Sequence, residues 1–239
     1  MSRYYRVREL FATLQGEGAR AGSRSVFVRF AGCNLWNGRP EDRAKGVGAC
    51  AQWCDTDFVR GEPMTSEVIL AEVQKQWYLA AESGPPWIVV TGGEPLLQLD
   101  EAFIEHAHKL GVRVAVESNG TIRAPEGIDW LTVSPKRGQI ELAQLEAHEL
   151  KVVLPGGLDG QGWTDAELEE LAKKGDWLHR FVQPQDVVSP GFLGVTYLTR
   201  SMVGAEHEFQ RNLKRCIDFV HSHPQWRLSY QMHKAAGLR

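Results

Sequence analysis

The sequence predicts an α/β protein with a mostly parallel sheet, as an open, shortened (β/α) partial TIM barrel or a splayed sheet, on three observations. Short β-branched and aromatic runs alternate with stretches of helical periodicity along most of the 239 residues, an order that implies right-handed crossovers between parallel strands. Eight complete strand–helix units usually take about 250 residues. Here a long cysteine-bearing loop and the Gly- and Pro-bearing stretch Asp186–Gly204 leave too little chain to close an eightfold barrel. The polar, chemistry-bearing segments also follow directly after the strands, at the carboxyl ends where such sheets bind ligands.

Strands are expected at Ser25–Phe30, Trp87–Thr91, Val112–Glu117, Trp130–Ser134, Glu149–Leu154, Arg180–Gln183 and Arg227–Met232, all short runs that read as buried. Between the first two, Ser66 can cap a helix whose apolar face is Ile69, Val73 and Trp77. A second helix, from about Asp100, stops at Gly111, the usual residue type just past a helix end. A third opens at Thr164 with Glu167 three residues on, the capping-box pattern, and ends at Lys173, Lys174 and Gly175. The last carries Phe209, Leu213, Cys216, Ile217 and Val220 as an apolar stripe, which makes Cys216 a packing residue. A single domain over residues 1–239 is expected, with an extended loop at 33–54 and an insertion at about 186–204.

Composition excludes several classes. With 27 Lys and Arg against 30 Asp and Glu, a net charge of −3 and 43% hydrophobic residues, the chain is an ordinary globular one. No apolar run reaches membrane-spanning length and the N-terminus, MSRYYRVREL, lacks the core of a signal peptide, so a cytoplasmic protein without a membrane contact is expected. No block of Lys or Arg marks a nucleic-acid surface, which leaves a small molecule as the expected ligand.

Of four cysteines, Cys33, Cys50 and Cys54 cluster after the first long strand. In a cytosolic protein three grouped thiols point to a metal or redox site more than to a disulfide staple. Zinc would need a fourth ligand, and no His precedes His106. An iron–sulfur cube held by three thiolates keeps one iron open for a ligand. TGGEP after WIVV, ESNG after VAV, SPK after WLTV and QPQD after HRFV are further strand-end loops, which a parallel sheet gathers on one rim.

These pieces resemble the radical S-adenosylmethionine enzymes, and more narrowly the 7-carboxy-7-deazaguanine synthase family. The matching segments, in order, are LFATLQGEGARAG at Leu10–Gly22, VFVRFAGCNLW at Val26–Trp36, CDTDF at Cys54–Phe58, TGGEPLLQLD at Thr91–Asp100, ESNG at Glu117–Gly120, VSPK at Val133–Lys136, ELKVVLP at Glu149–Pro155, VQP at Val182–Pro184 and HPQWRLSYQMHK at His223–Lys234. The resemblance implies a partial barrel of the radical S-adenosylmethionine type. It also implies a reaction in which 6-carboxy-5,6,7,8-tetrahydropterin contracts to 7-carboxy-7-deazaguanine with loss of ammonia, in the queuosine and 7-deazapurine pathway. Hydrogen abstraction would fall to a 5′-deoxyadenosyl radical from the cofactor and not to a catalytic side chain.

The same resemblance implies the site. Cys33, Cys50 and Cys54 would hold a [4Fe-4S] cluster. Gly92, Gly93, Glu94, Glu117, Ser134, Pro135, Lys136, Gln183, Pro184, Gln185 and Asp186 would hold S-adenosylmethionine, the glycines leaving room for its methionine part and Glu94 accepting from its ammonium. Leu14, Gln15, Gly16, Glu17, Arg29, Thr91 and Arg239 would bind the pterin, with Arg29 on its carboxylate and the Arg239 terminal carboxylate near its ring. Thr56 would ligate Mg²⁺. A flavodoxin- or ferredoxin-type electron donor and a homodimer are implied as well.

One departure from the family pattern concerns the cysteines. Sixteen residues separate Cys33 from Cys50 and three separate Cys50 from Cys54, one more in the second gap than in the family, so Ala51 stands where a thiol is expected. Spacings of three and four share one side of a helical turn, which keeps Cys50 in reach. Two other readings are weighed: a radical enzyme acting on another heterocycle or a partner protein, and a non-catalytic zinc-stabilised binding protein. The second leaves TGGEP, ESNG and SPK without a role.

Overall fold

A computed structural model describes residues 3–78, 84–139, 141–157, 162–186 and 200–238, with backbone alone at 200–205. The elements run β1 (Tyr4–Leu14), β2 (Arg24–Phe30), β3 (Glu62–Thr65), α1 (Ser66–Tyr78), β4 (Trp87–Gly92), α2 (Glu101–Lys109), β5 (Arg113–Ser118), β6 (Trp130–Val133), β7 (Glu146–Leu154), α3 (Asp165–Lys174), β8 (Asp176–Pro184), α4 (Arg200–Ser222), β9 (Arg227–Leu228) and α5 (Met232–Ala235). Among the described residues nine strands form one sheet in the order β3-β1-β2-β4-β5-β6-β7-β8-β9. From β2 to β9 every pairing is parallel, while β1 pairs antiparallel with both β2 and β3. The sheet is open, with β3 and β9 at its ends, as the length argument required.

One face of this sheet is apolar. Val26, Val28 and Phe30 of β2, Ile88 and Val90 of β4, Val114 and Val116 of β5, Leu131 and Val133 of β6, and Leu150, Val152 and Leu154 of β7 join the main core. Helices α1, α2, α3 and α4 pack on that face through Ile69, Val73, Phe103, Ile104, Leu168, Cys216 and Phe219, all nearly inaccessible to water. Period-two alternation therefore sends the intervening residues to the opposite, concave face.

Local chemistry explains most boundaries. Asp100 caps α2 by accepting from Phe103 N–H at 3.0 Å, and Gly111 ends it at φ +71, where a side chain would be strained. Thr164 and Glu167 form the expected capping box of α3. Cys216 is fully buried, in agreement with its packing role.

Several expectations are corrected. Strands β1 and β3 were not expected: YYRVREL buries only Tyr5 and Val7, because β1 lies near the sheet edge with arginines on its outer side. Ser66 is the first helical residue and not a cap, and its hydroxyl lies 2.9 Å from His106 Nδ1. Segments 119–129 and 134–145 carry no helix among the described residues, so strand–helix alternation lapses twice. Ile217 faces out from α4, 37% exposed, and Phe219 takes its place in the core. The last strand ends at Leu228, and Met232 instead opens α5. The expected insertion at 186–204 lies outside the described residues at 187–199. No described helix is long and apolar enough to cross a membrane.

Candidate active site

The concave face is polar towards the carboxyl ends of the strands. Arg29 sits beside Thr91 across β2 and β4, Glu117 beside Thr132 across β5 and β6, and Thr132 beside Glu149 across β6 and β7. Lys151 and Gln183 continue the same face on β7 and β8. Four of the expected residues, Arg29, Thr91, Glu117 and Gln183, are thus set on one surface by strand register alone.

Lys151 is the hub. Its ammonium is almost fully buried and donates to Glu17 at 2.5 Å and to Glu117 at 2.9 Å. Gln15 donates from Nε2 to Glu117 at 3.1 Å, and its Oε1 accepts from the Glu17 N–H at 3.1 Å. Gln231 donates to the other Glu17 oxygen at 2.7 Å. Glu149 answers to other donors, the Trp130 indole at 2.8 Å and Ala19 N–H at 3.1 Å. Although burial works to raise it, the Lys151 ammonium and these hydrogen bonds hold the Glu17 carboxyl at about 2. Burial dominates at Glu117 and pushes its carboxyl up, while the surrounding carboxylates raise Lys151.

The C-terminal segment closes over this group. Met232 N–H donates to Gly16 O at 3.0 Å, and a Cβ at Gly16 would drive into the His233 ring, so glycine there is a close-approach requirement. Ser229 Oγ donates to Gln183 at 2.8 Å and accepts from Gly18 N–H at 3.0 Å. Lys234 reaches both Asp55 and Asp186 at 2.6 Å, tying the cysteine loop to the loop after β8.

The cysteine loop has a small core of its own, Trp36, Ala51 and Phe58, with Cys33 and Cys54 packed against it. Arg43 lies over Trp36 at 4.8 Å and donates to the Ala51 and Cys54 carbonyls at 2.6 and 3.0 Å. A 3-10 turn spans Ala49–Gln52, and Cys54 N–H donates to Cys50 O at 2.7 Å, so Cys50 and Cys54 do share one turn. Ala51 is packed away in the small core. The Cys50 sulfur instead faces Gly48 and the base of Lys136, where a Cβ on Gly48 would lie 3.2 and 3.6 Å from the two.

Glu94 is fully buried and its carboxylate is largely occupied: Oε1 accepts from Leu96 N–H at 3.0 Å and Ser118 Oγ at 2.9 Å, and Oε2 from Asn119 N–H at 2.7 Å. It joins the TGGEP and ESNG loops, with about one of some four lone-pair sites to spare. The glycines before it also have a packing reason. A Cβ on Gly92 would lie 2.5 Å from Phe30 O, and one on Gly93 would lie 2.5 Å from the Cys33 Cβ. Lys136 donates to Ser134 O and Oγ at 2.7 and 2.6 Å, and burial lowers its pKa against the pull of Cys50. Gln185 Oε1 accepts from Gly156 N–H at 3.1 Å, and Pro135 and Pro184 are buried in the same rim. Arg29 is held through Nε by Glu9 at 2.6 Å. Leu14 ends β1 and leads into the Gln15–Glu17 turn. Arg239 lies outside the described residues.

The donor sets differ in how they suit the implied groups. All three loop thiols are free, and burial raises each, Cys50 to about 11. Each thiol lies in the field of another, and Leu35 N–H donates to the Cys33 sulfur at 3.4 Å. Reduced thiols with backbone N–H groups aimed at sulfur are chemically suited to an iron–sulfur cluster. Among the described residues, though, no three His, Cys, Asp or Glu side chains are drawn together around one metal position. Thr56 is half-buried between two aspartates already paired, Asp55 with Lys234 and Asp57 with Arg8, which leaves a neutral hydroxyl as the available oxygen. A hollow of about 650 Å³ adjoins this loop at Ala31, Gly32, Phe58 and Arg60, and is not lined by the expected residues.

Sequence reasoning missed Lys151, Glu149, Gln231, His233 and Lys234. The signal for the first two was present: a Glu and a Lys two apart in an otherwise apolar strand mark a charged inner face. No family model matches the chain. It is 45% identical to the 7-carboxy-7-deazaguanine synthase of Bradyrhizobium diazoefficiens, over 98% of this chain and 99% of that one. The synthases of Bordetella pertussis and Caulobacter vibrioides are 43% and 41% identical with the same coverage. Among solved structures, that of QueE from Escherichia coli superposes with a TM-score of 0.62 over 96% of this chain and 95% of that one, at 24% identity, a likeness of fold.

Proposed function

The chain belongs to the 7-carboxy-7-deazaguanine synthase family, and on that premise we propose that it converts 6-carboxy-5,6,7,8-tetrahydropterin to 7-carboxy-7-deazaguanine as a radical S-adenosylmethionine, Mg²⁺-dependent enzyme. The observation that carries the assignment of the site is the hydrogen-bonded group in which buried Lys151 joins Glu17 to Glu117 and Gln15 donates to Glu117, on the same concave face as Arg29. A carboxylate and an amide on one wall, Glu17 and Gln15, suit the donor-rich edge of a pterin. A guanidinium fixed by Glu9 keeps its terminal nitrogens for the pterin carboxylate.

Cys33, Cys50 and Cys54 would hold the [4Fe-4S] cluster. Gly92–Glu94, Glu117, Ser134–Lys136 and Gln183–Asp186 would cradle S-adenosylmethionine, and Thr56 would offer its hydroxyl to Mg²⁺. When bound, the cluster and S-adenosylmethionine supply hydrogen-atom abstraction. The chain's own part is to bind, orient and exclude water. Gly93 lets the TGGEP loop press on Cys33, and Glu94 locks that loop to ESNG. The Gln231–Lys234 segment covers the mouth. Family resemblance further supports a cytoplasmic homodimer served by a flavodoxin- or ferredoxin-type donor.

Protein reconstituted anaerobically with iron and sulfide, then given reductant, S-adenosylmethionine, Mg²⁺ and 6-carboxytetrahydropterin, is expected to be brown and to form the deazapurine with 5′-deoxyadenosine. Formation of 5′-deoxyadenosine without the deazapurine would reject the substrate, and a colourless zinc-loaded protein would reject the radical reading.

A further inference from the structure

Four charged side chains, Glu17, Glu117, Glu149 and Lys151, share the concave face, and all but a fraction of their surface is withdrawn from water. Such a group is weak evidence for stability. Desolvation of each ion offsets much of the Coulomb gain, and apolar residues of similar volume often serve the fold as well. Glu149 has its own neutral donors in Trp130 and Ala19. Lys151 therefore serves Glu17 and Glu117, the two carboxylates nearest the mouth.

The geometry at Glu17 is specific. One oxygen accepts from Lys151 and the other from Gln231, so each keeps acceptor capacity for one further donor. A carboxylate held this way presents two parallel acceptors, which match a ring N–H beside an exocyclic amino group. Resting on the pterin reading above, we propose that Lys151 is a positioning residue that holds Glu17 as an oriented anion and thereby selects a 2-amino-4-oxopyrimidine edge over a 2,4-dioxo edge. The dioxo ring turns an acceptor towards the carboxylate and is rejected.

The groups facing Glu17 are Lys151 and Glu149 from β7, Glu117 from β5, Lys136 from the turn after β6, and His233 from α5. Burial lowers the His233 pKa, so at neutral pH it does not replace the Lys151 charge. Without Lys151, two buried carboxylates face each other and one keeps its proton to a higher pH than in the wild type.

Equilibrium binding of oxidised, unreactive 6-carboxypterin and 6-carboxylumazine to the reconstituted protein tests this. Wild type is expected to prefer the pterin, with an affinity flat between about pH 6 and 7, where the protein carboxylate stays ionised and the ring N–H stays protonated. Lys151→Met is expected to weaken pterin binding roughly 10- to 100-fold, to erase the preference, and to make the affinity improve as pH rises. Lys151→Arg keeps the charge and should restore the preference and the flat profile. A Met variant with wild-type affinity and a flat profile overturns the proposal. Should that variant not fold, equal binding of the two analogues by wild type overturns it as well. Product formation by wild type, measured separately, reports on the reaction: discrimination without turnover leaves the role of Lys151 standing and removes the reaction, whereas binding of neither analogue removes both.

Discussion

The two halves of the mouth are built differently. On the strand side, Gln15, Glu17, Glu117, Lys151 and Gln231 are joined by direct hydrogen bonds of 2.5–3.1 Å. On the loop side, Cys33, Cys50 and Cys54 are free thiols with burial against their ionisation. The sheet sets Glu117 on β5 and Lys151 on β7 of one face, and the turn after β1 and the C-terminal segment bring Gln15, Glu17 and Gln231 onto them. The loop side is folded around Trp36, Ala51 and Phe58, and its thiols have the buried Lys136 ammonium as a cationic neighbour, with burial outweighing its pull. On the proposed reading, the contrast separates a surface completed by folding from one that a cluster would complete, its binding expelling the thiol protons.

The widest break in this contrast is Cys50→Ala. If the loop is a ligand shell, iron and sulfide per chain after anaerobic reconstitution should fall and product formation should drop to background. The metal-free variant should still unfold within about 1–2 kcal/mol of wild type, because only a small buried sulfur is lost. Undiminished iron and sulfide would exclude Cys50 as a ligand, and with it the shared-turn argument from the Cys54 N–H to Cys50 O hydrogen bond.

Legibility in the sequence follows the same divide. Apolar runs such as WIVV marked β4 because that strand is central and both its neighbours are parallel. Strand β1, next to the edge strand β3, mixes arginine and glutamate with its buried Tyr5 and Val7, and an alternating polar run near a terminus does not announce a partner strand. Segments 119–129 and 134–145 hold their crossovers together with side-chain turns, Asn119 to Thr121 and Gln139 to Lys136, which carry no helical period. Among site residues, those in loops with unusual composition were readable. The Glu and Lys two apart on β7 signal a charged inner face, but the partners of Lys151 and Gln231 were not readable, because they lie 134 and 214 positions away in the chain. Only the sheet and the C-terminal return bring Lys151 and Gln231 to Glu17.

On the strand side the sharpest probe is Glu94. Its carboxylate accepts from two backbone N–H groups and one hydroxyl, all buried. Glu94→Ala strands all three and should cost about 3–5 kcal/mol in denaturant unfolding of the metal-free protein. Glu94→Gln keeps one acceptor oxygen and should cost about 1–2 kcal/mol. If the two variants unfold alike, the carboxylate is not the clasp between the TGGEP and ESNG loops, and its burial serves the cofactor alone.

Gly93 is where the two halves touch, and it has the most to say about their coupling. A Cβ there would run into Gly32 O and lie 2.5 Å from the Cys33 Cβ. The strand side is anchored through Glu94, whose N–H also donates to Gly32 O at 3.0 Å. The loop side must therefore give. Gly93→Ala should cost about 1–3 kcal/mol as overpacking relieved by a backbone shift. The shift displaces Cys33 and leaves Lys151, Glu17 and Glu117 where they are. Iron retention should fall while binding of 6-carboxypterin stays at the wild-type value. Loss of both together would mean that the strand-built surface depends on the loop, and that the two halves form one unit.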